Sequence, residues 1–253
     1  MAGHASLNMK NLLPAFAKLA VLVFAAATAN AAMTVATVGD SLADAIYLGI
    51  KLQPQLLKSQ DIRLTRWSRA RIGLTRIDLF DYTAWLRDNN DLGAVDFCVV
   101  ELGANDLQSI ATGKLKWAFL GTQEWQRIYA GRVETMVSTL KTQRCKEVVW
   151  ILQPAYERNK FLNGHHALIN STQLLGLKSG SAAAFEIVTD QNDYQRDGIH
   201  FNGPFALKLA RAVVNLVESW KTFTTTGCAA CHAAEGYHWI KPQELSPLKW
   251  QRP

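Results

Sequence analysis

The sequence predicts an α/β fold whose core is a parallel β-sheet. Short runs rich in Val, Ile and Phe alternate along the chain with longer segments in which apolar residues recur every three or four positions. This alternation is typical of strands joined by crossover helices, which cover the faces of a parallel sheet. The apolar runs predict strands over residues 33–39, 63–67, 95–102, 147–152 and 185–188.

The segments between these strands carry helical patterns. The first helix is predicted from Leu42 to about Gln60, and Pro54 is expected to kink or end it because proline lacks a backbone N–H. The segment from Asn105 to Lys116 is expected to form a long loop. Further helices are predicted over about residues 77–86, 125–140 and 161–177, the last as one helix or two short ones, and from Gly203-Pro204 onward, since proline is favoured at a first helical position.

Residues 1–31 are typical of a secretory signal peptide. They combine two lysines, an apolar stretch from Leu19 to Ala27 that is too short to span a bilayer, and the small-residue cleavage site Ala29-Asn30-Ala31. Cleavage there gives a mature chain that starts at Ala32 and is periplasmic or secreted. The alternative is a leader that stays uncleaved as a membrane anchor. No later apolar stretch is long enough to span a membrane, so no stable span is expected after cleavage.

The charge distribution argues against a nucleic-acid partner. The formal net charge is +6, and the two lysines of the leader account for part of it. The rest is scattered, with no basic run interleaved with aromatic residues, so nucleic-acid binding is not expected. The remaining excess of positive charge is compatible with binding of an anionic envelope polymer, and equally with ordinary solubility.

Four cysteines divide between the predicted domain and the tail. Cys98 lies in a predicted buried strand and is expected to be a packed free thiol. Residues 222–253 are expected to form an irregular extension. It contains Cys228-Ala229-Ala230-Cys231-His232, which has the form of a c-type haem attachment site with two thioether cysteines and an axial histidine. About twenty residues and no methionine follow it. A Cys228–Cys231 disulfide or an unpaired relic is therefore the preferred reading over a covalent haem c.

The first strand ends at Gly39-Asp40-Ser41, directly before the first predicted helix. Ligands of open α/β sheets bind at the carboxyl ends of the strands. A serine at a helix N-terminus also lies near free N–H groups that favour developing negative charge. The hypothesis is that Ser41 is a nucleophile. The alternative is a serine that only caps the helix.

The remaining chemistry-bearing residues follow other predicted strands. A serine hydroxyl needs a base, and His200 is the best of the six histidines because Asp197, three residues earlier, can hold its tautomer. An oxyanion needs donors placed in advance, for which Asn105 offers a side-chain amide and Gly73 a backbone N–H. Taken singly, Asn105 could instead form an Asx turn or helix cap, and Gly73 a simple turn.

Taken together, four blocks in order resemble the SGNH (GDSL-type) hydrolase superfamily over nearly all of residues 33–221. Longer stretches, such as EWQRIYAGRV and DGIHFNGPFALKLA, resemble an exported and poorly characterised bacterial subfamily. Many members carry a Ser-Gly pair or a neighbouring Asn at the second block, whereas here Ile72 precedes Gly73. The four blocks are Gly39-Asp40-Ser41, Gly73, Gly103-Ala104-Asn105-Asp106 and Asp197-Gly198-Ile199-His200.

The resemblance implies a flavodoxin-like, three-layer α/β/α sandwich with about five parallel strands over residues 32–221. It assigns Ser41 as nucleophile, His200 as general base and Asp197 as the acid that orients the histidine. The N–H of Ser41, Gly73 and Asn105 would form the oxyanion hole.

The function expected from the resemblance is an exported serine esterase that hydrolyses carboxylic esters, with acetyl esters as one candidate, without metal or organic cofactor. Some relatives act on acetyl groups of envelope polysaccharides, so the substrate is expected to be a small-molecule or polysaccharide ester. One alternative is a polysaccharide O-acyltransferase that uses the same site. Another is a non-catalytic envelope-binding or haem-carrying protein.

Overall fold

The computed structural model of the protein describes residues 32–180, 182–226 and 237–240, with residues 221–226 and 237–240 described by their backbone alone. The predicted leader, residues 1–31, lies outside the described residues. So do Cys228, Cys231 and His232 of the CxxCH motif. The signal peptide and the nature of the CxxCH motif therefore remain predictions from the sequence.

A sheet of five parallel strands forms the centre of the fold. The strands are β1 (Met33–Gly39), β2 (Ile62–Ser68), β3 (Val95–Glu101), β6 (Cys145–Ile151) and β7 (Ala183–Ile187). They lie in the order β2–β1–β3–β6–β7, which is the order of a flavodoxin-like sheet; the numbers 4 and 5 belong to a separate short hairpin described below. This confirms the predicted parallel sheet of about five strands.

Two further features depart from the predicted layout. The segment predicted as a long loop contains an antiparallel hairpin of β4 (Ile110–Gly113) and β5 (Lys116–Ala118). The C-terminal extension, predicted as irregular, supplies a sixth strand, β8 (Tyr237–Ile240), which pairs antiparallel with β7 at the edge of the sheet. The prediction that residues 222–253 form an irregular extension was therefore wrong for these four residues and for residues 222–226, which belong to the last helix.

Helices cover both faces of the sheet and complete a three-layer sandwich. The helices are α1 (Ser41–Lys51), α2 (Pro54–Ser59), α3 (Tyr82–Asp88), α4 (Gln123–Gln143), α5 (Lys160–Gly180) and α6 (Gly203–Thr226). Helix α1 packs against α6 on one face, and α4 packs against α5 and α3 on the other. None of the described helices is long and apolar enough to cross a membrane.

Helix bounds differ from the predicted ones where capping residues intervene. The first predicted helix ends at Lys51, and Pro54 begins a separate helix instead of ending the same one. The second predicted helix is shorter than expected and begins only at Tyr82. The side chain of Asp81 accepts a hydrogen bond from the N–H of Ala84, which fixes the N-terminus there.

The prediction that Cys98 is a free thiol was wrong. Cys98 forms a disulfide with Cys145. Cys145 is the first residue of the neighbouring strand β6. Both cysteines are buried in the core of the sheet. The sequence placed Cys98 in a buried strand correctly but carried no local signal for its partner, because the two residues meet only when β3 and β6 pair.

Candidate active site

The four sequence blocks all follow the carboxyl ends of strands in the parallel sheet. Ser41 follows β1, Gly73 follows β2, Asn105 follows β3 and His200 lies in the segment after β7. Because parallel strands end at the same edge, these loops gather on one side of the sheet, where ligands of open α/β folds bind.

The turn between β1 and α1 presents Ser41 as the first residue of the helix. Gly39 has a φ of +138°, and a side chain there would overlap the carbonyl oxygen of Glu101, so only glycine fits. Asp40 is the N-cap residue, and its Oδ1 accepts a hydrogen bond of 2.9 Å from the N–H of Leu42. The alternative role of Ser41 as a cap was therefore wrong, and its hydroxyl is left available.

A continuous hydrogen-bonded chain links Ser41, His200 and Asp197. Nε2 of His200 lies 3.0 Å from Oγ of Ser41, and Nδ1 lies 2.6 Å from Oδ2 of Asp197. A carboxylate only accepts hydrogen bonds, so Nδ1 carries the proton and Nε2 is free to accept from the serine hydroxyl. All three side chains are accessible to solvent. The arrangement can therefore move a proton from Ser41 to His200 with the imidazolium held by Asp197.

The surroundings of Asp197 favour its ionised form. Partial burial acts to raise its pKa. The hydrogen bonds from the His200 ring and from the N–H groups of Ile199 and His200 outweigh burial and hold the pKa of this carboxyl below its ordinary value. The ionised form is the one that orients an imidazole and stabilises its charged state.

Asn105 is oriented by the residue that precedes Ser41. Its Nδ2 donates a hydrogen bond of 2.9 Å to Oδ2 of Asp40, and its backbone carbonyl oxygen accepts one of 2.7 Å from Nε2 of Gln108. A side-chain amide has two N–H groups, so this bond to Asp40 leaves the second one for a ligand. The N–H of Ser41 is also free of an intrahelical partner, because it is the first of its helix.

Gly73 lies against Asp106, the residue after Asn105. A side chain at Gly73 would overlap Oδ1 of Asp106, so the close approach of these two loops requires glycine. Oδ1 of Asp106 also accepts hydrogen bonds from the N–H and the hydroxyl of Thr75, at 2.8 and 3.0 Å. Asp106 thereby fixes the loop that carries Gly73 beside the loop that carries Asn105.

Arg69 and Arg71, the two arginines just before Gly73, do not form ion pairs among the described residues. The guanidinium of Arg69 lies over the ring of Phe80, 4.2 Å from its centroid. Arg71 is exposed and has a φ of +64°. These observations do not identify an anion-binding role for Arg69 or Arg71.

Three fully buried acids beneath this edge were not singled out from the sequence as functional groups. They are Asp40, Glu101 and Asp106. Burial raises the pKa of Asp40 and of Asp106 to about 6. Burial and the negative charge of Asp40 raise the pKa of Glu101 well above its usual range. Glu101 therefore keeps its proton to a higher pH than an ordinary glutamate does, and the neighbouring Asp40 accepts hydrogen bonds from Asn105 and Leu42.

Glu101 is itself held by a buried polar chain. Nε2 of Gln153 donates to Oε1 of Glu101 at 2.7 Å, and the hydroxyl of Tyr156 donates to Oε1 of Gln153 at 2.5 Å. The available signal in the sequence was an acid directly after the apolar run over residues 97–100, since a buried carboxyl needs partners supplied by the fold.

Comparison with known proteins places the chain in a family and a fold. The family model described as "Protein of unknown function (DUF459)" matches residues 34–182, more than half of the chain. The matched range includes Ser41, Gly73 and Asn105, whereas Asp197 and His200 lie beyond it. None of the curated proteins compared with the chain matches it.

Solved structures of Axe2, an acetyl xylan esterase from Geobacillus stearothermophilus, are similar in fold. One, with a tryptophan replaced by isoleucine, has 12% identity and a TM-score of 0.53 and covers 73% of this chain and 94% of its own. Two are catalytic mutants with a histidine or an aspartate replaced by alanine, at 12% and 14% identity and TM-scores of 0.53 and 0.51; each covers 73% of this chain and 93% of its own. At this identity the likeness establishes the fold.

Proposed function

The chain belongs to the DUF459 family, an SGNH-like family, and we propose that it is an exported serine esterase that hydrolyses carboxylic esters, with acetyl esters as the first candidates. The observation that carries this proposal is the chain of hydrogen bonds from Ser41 Oγ through both ring nitrogens of His200 to Asp197. That order of nucleophile, base and orienting acid is the arrangement that acyl transfer through serine requires.

In the proposed reaction, Oγ of Ser41 attacks the ester carbonyl carbon while its proton moves to Nε2 of His200. The carbonyl oxygen becomes an oxyanion. When the tetrahedral intermediate collapses, the bond to the alcohol oxygen breaks and Nε2 returns its proton to the departing alcohol. A water molecule then attacks the acyl-enzyme with the same proton path, which releases the acid and restores the Ser41 hydroxyl.

The oxyanion would be stabilised by donors that the fold holds in place before substrate binds. We assign this role to the N–H groups of Ser41 and Gly73 and to the second amide N–H of Asn105. Such donors act at low cost because they need not reorganise during the reaction, and losing one typically lowers kcat by about 100-fold to 1000-fold. None of these steps requires a metal or an organic cofactor.

Two observations support the exported location within this proposal. The leader has the composition of a signal peptide. The Cys98–Cys145 disulfide is of a kind that persists in oxidising compartments and is rare in the cytosol of most organisms. We therefore propose that the mature protein is periplasmic or secreted.

The openness of the triad supports the proposed class of substrate. His200 and Asp197 are both partly exposed, so the site is compatible with an ester on a large and soluble molecule, a polysaccharide included, as well as with a small ester. The enzyme Axe2, which has a similar fold, is named for activity on acetyl groups of xylan. Acetylated saccharides are accordingly the first natural substrates to try.

The proposal is tested by hydrolysis of a series of p-nitrophenyl esters, from acetate to octanoate, by the wild type and by Ser41→Ala. Turnover of the wild type that is lost in the variant supports the proposal, and the chain-length profile measures the acyl pocket. Equal rates for the two proteins would overturn it. Analysis of products in the presence of a sugar acceptor distinguishes hydrolysis from acyl transfer.

The tail motif has no part in the proposed reaction. Cys228, Cys231 and His232 have the sequence form of a haem c site, and a Soret band in protein purified after export would identify such a group. We propose that the protein carries no haem, so that no Soret band is expected even after co-expression with the haem-attachment machinery.

A further inference from the structure

The hairpin β4–β5 has one face packed on the protein and one apolar face in solvent. Ile110 and Ala118 lie opposite each other in the hairpin and are both buried in the core. Successive residues of an extended segment point to opposite faces, so Trp117 and Phe119 point away from the core. Exposed faces of hairpins are usually polar, and this one is not.

The apolar exposure is large and continues to the end of the hairpin. Leu115, in the turn, is 93% exposed, and Phe119 and Trp117 are 66% and 46% exposed. We call these three residues the apolar row. Three neighbouring large apolar side chains in water mark a surface that is covered when the protein works, since single exposed residues are common but contiguous rows are not.

The apolar row is flanked by positive charge. Lys114 and Lys116 lie on either side of Leu115 and are both exposed. Neither forms an ion pair within the described part of the chain. The end of the hairpin therefore combines unpaired cations with apolar side chains, a combination complementary to a surface that is apolar inside and anionic outside.

The position of the hairpin relates this surface to the candidate active site. It follows the carboxyl end of β3, five residues after Asn105, on the edge of the sheet where Ser41 lies. The connecting segment is anchored, because Gln108 donates to the carbonyl of Asn105 and accepts through its own carbonyl a hydrogen bond of 2.7 Å from the Trp125 indole. Whatever covers the hairpin will therefore lie on the same edge as Ser41.

We infer that the apolar row and its two lysines dock the protein on an anionic lipid surface, with Leu115 inserted among the acyl chains. Lysine and tryptophan are the residues favoured at the boundary between lipid headgroups and hydrocarbon. A saccharide would stack on the aromatic rings but would gain nothing from the leucine at the end of the turn. The inference concerns binding alone and does not depend on the proposed esterase activity.

The test is co-sedimentation of the exported protein with vesicles of phosphatidylcholine alone or mixed with phosphatidylglycerol. We expect binding to the mixed vesicles, weakened by salt. Leu115→Ser combined with Trp117→Ser should lower the partition coefficient by at least about tenfold, because less apolar surface enters the bilayer. Lys114→Glu combined with Lys116→Glu should abolish the preference for phosphatidylglycerol.

Matched controls separate this surface from other contributions. Leu52→Ser replaces another exposed leucine, at the far end of α1, and should bind as the wild type does. All variants have the same N-terminal segment, so any contribution of that segment to vesicle binding is the same in each. Ser41→Ala should bind normally, and the hairpin variants should keep their turnover of soluble p-nitrophenyl acetate.

Three outcomes would overturn the inference. The wild type could fail to pellet with either kind of vesicle. The hairpin variants could pellet as well as the wild type does. An acidic polysaccharide or a protein partner could retain the wild type, but not the hairpin variants, in the absence of vesicle binding, which would assign the hairpin to that partner instead.

Discussion

The side-chain amide of Asn105 donates a hydrogen bond of 2.9 Å to the carboxylate of Asp40, the residue next to Ser41. This bond joins the loop after β3 to the turn after β1. The same carboxylate caps the helix that begins at Ser41. One buried acid therefore sets both the position of the candidate nucleophile and the direction of a candidate oxyanion donor.

Removing the charge of Asp40 should impair turnover without removing the helix cap. Asparagine caps a helix nearly as well as aspartate, but Asp40→Asn replaces a charged acceptor of the Asn105 amide with a neutral side chain that also donates. We expect kcat on p-nitrophenyl acetate to fall by about tenfold or more with KM little changed, since the oxyanion forms only after binding. An unchanged kcat would show that Asp40 does not position Asn105.

Asn105→Ala should lower kcat by about a hundredfold or more, because it deletes one oxyanion donor. The double variant with Asp40→Asn then separates the two roles. If Asp40 acts through Asn105, the double variant should be no slower than Asn105→Ala alone. Additive losses would mean that the two residues act independently, and the double variant's unfolding transition checks that the fold is intact.

Stability should depend on pH through Asp106. Burial raises the pKa of this carboxyl from its ordinary 3.8 to about 6, so the native state keeps a proton that the unfolded chain has released. The stability contribution of Asp106 is thus fully present below pH 3.8 and is lost as the pH rises through about 6. Since one pKa unit corresponds to 1.36 kcal/mol, the free energy of unfolding falls by about 3 kcal/mol over this range.

The comparison that isolates this effect is wild type against Asp106→Asn, unfolded by urea at about pH 4 and about pH 7.5. Asparagine does not titrate. The free energy of unfolding of the wild type should therefore fall by about 2–3 kcal/mol relative to that of the variant as the pH rises. Asp91→Asn, at an exposed position, is the matched control. A difference between wild type and Asp106→Asn that stays constant with pH would contradict the raised pKa.

The disulfide should contribute measurably to stability. Cys98 and Cys145 are 47 residues apart, and closing a loop of that size typically stabilises a protein by about 2–4 kcal/mol. Replacing both cysteines by alanine should lower the free energy of unfolding by that amount. In the unreduced, denatured wild type, Cys98 and Cys145 should not react with an alkylating reagent, and peptide mapping that finds both alkylated would refute the bond.

Strands and the order of the blocks were predictable because their signals are local. β3 was predicted over residues 95–102 and forms over Val95–Glu101, since its apolar run over residues 97–100 needs no tertiary information to be recognised. The hairpin was missed because two strands of four and three residues are too short to show alternation. The partner of Cys98 was missed because only the pairing of β3 with β6 brings it near.

The candidate site divides in the same way. Ser41, His200 and Asp197 were selected from the sequence because their types and order suggest one chemistry. The roles of Asp40 and Glu101 emerge only from burial, which depends on β1, β3 and the elements around them. A serine and an aspartate are both good N-caps, so the sequence could not assign the cap to Asp40 rather than to Ser41.

The most direct test of the account is covalent labelling of the protein with a serine-directed fluorophosphonate, followed by intact-mass measurement and peptide mapping. The account predicts one adduct, located on Ser41, that forms slowly or not at all in His200→Ala because the serine then lacks its base. Folded wild-type protein that gains no adduct, or gains one on another residue while Ser41 stays unmodified, would contradict the claim that Ser41 is the nucleophile.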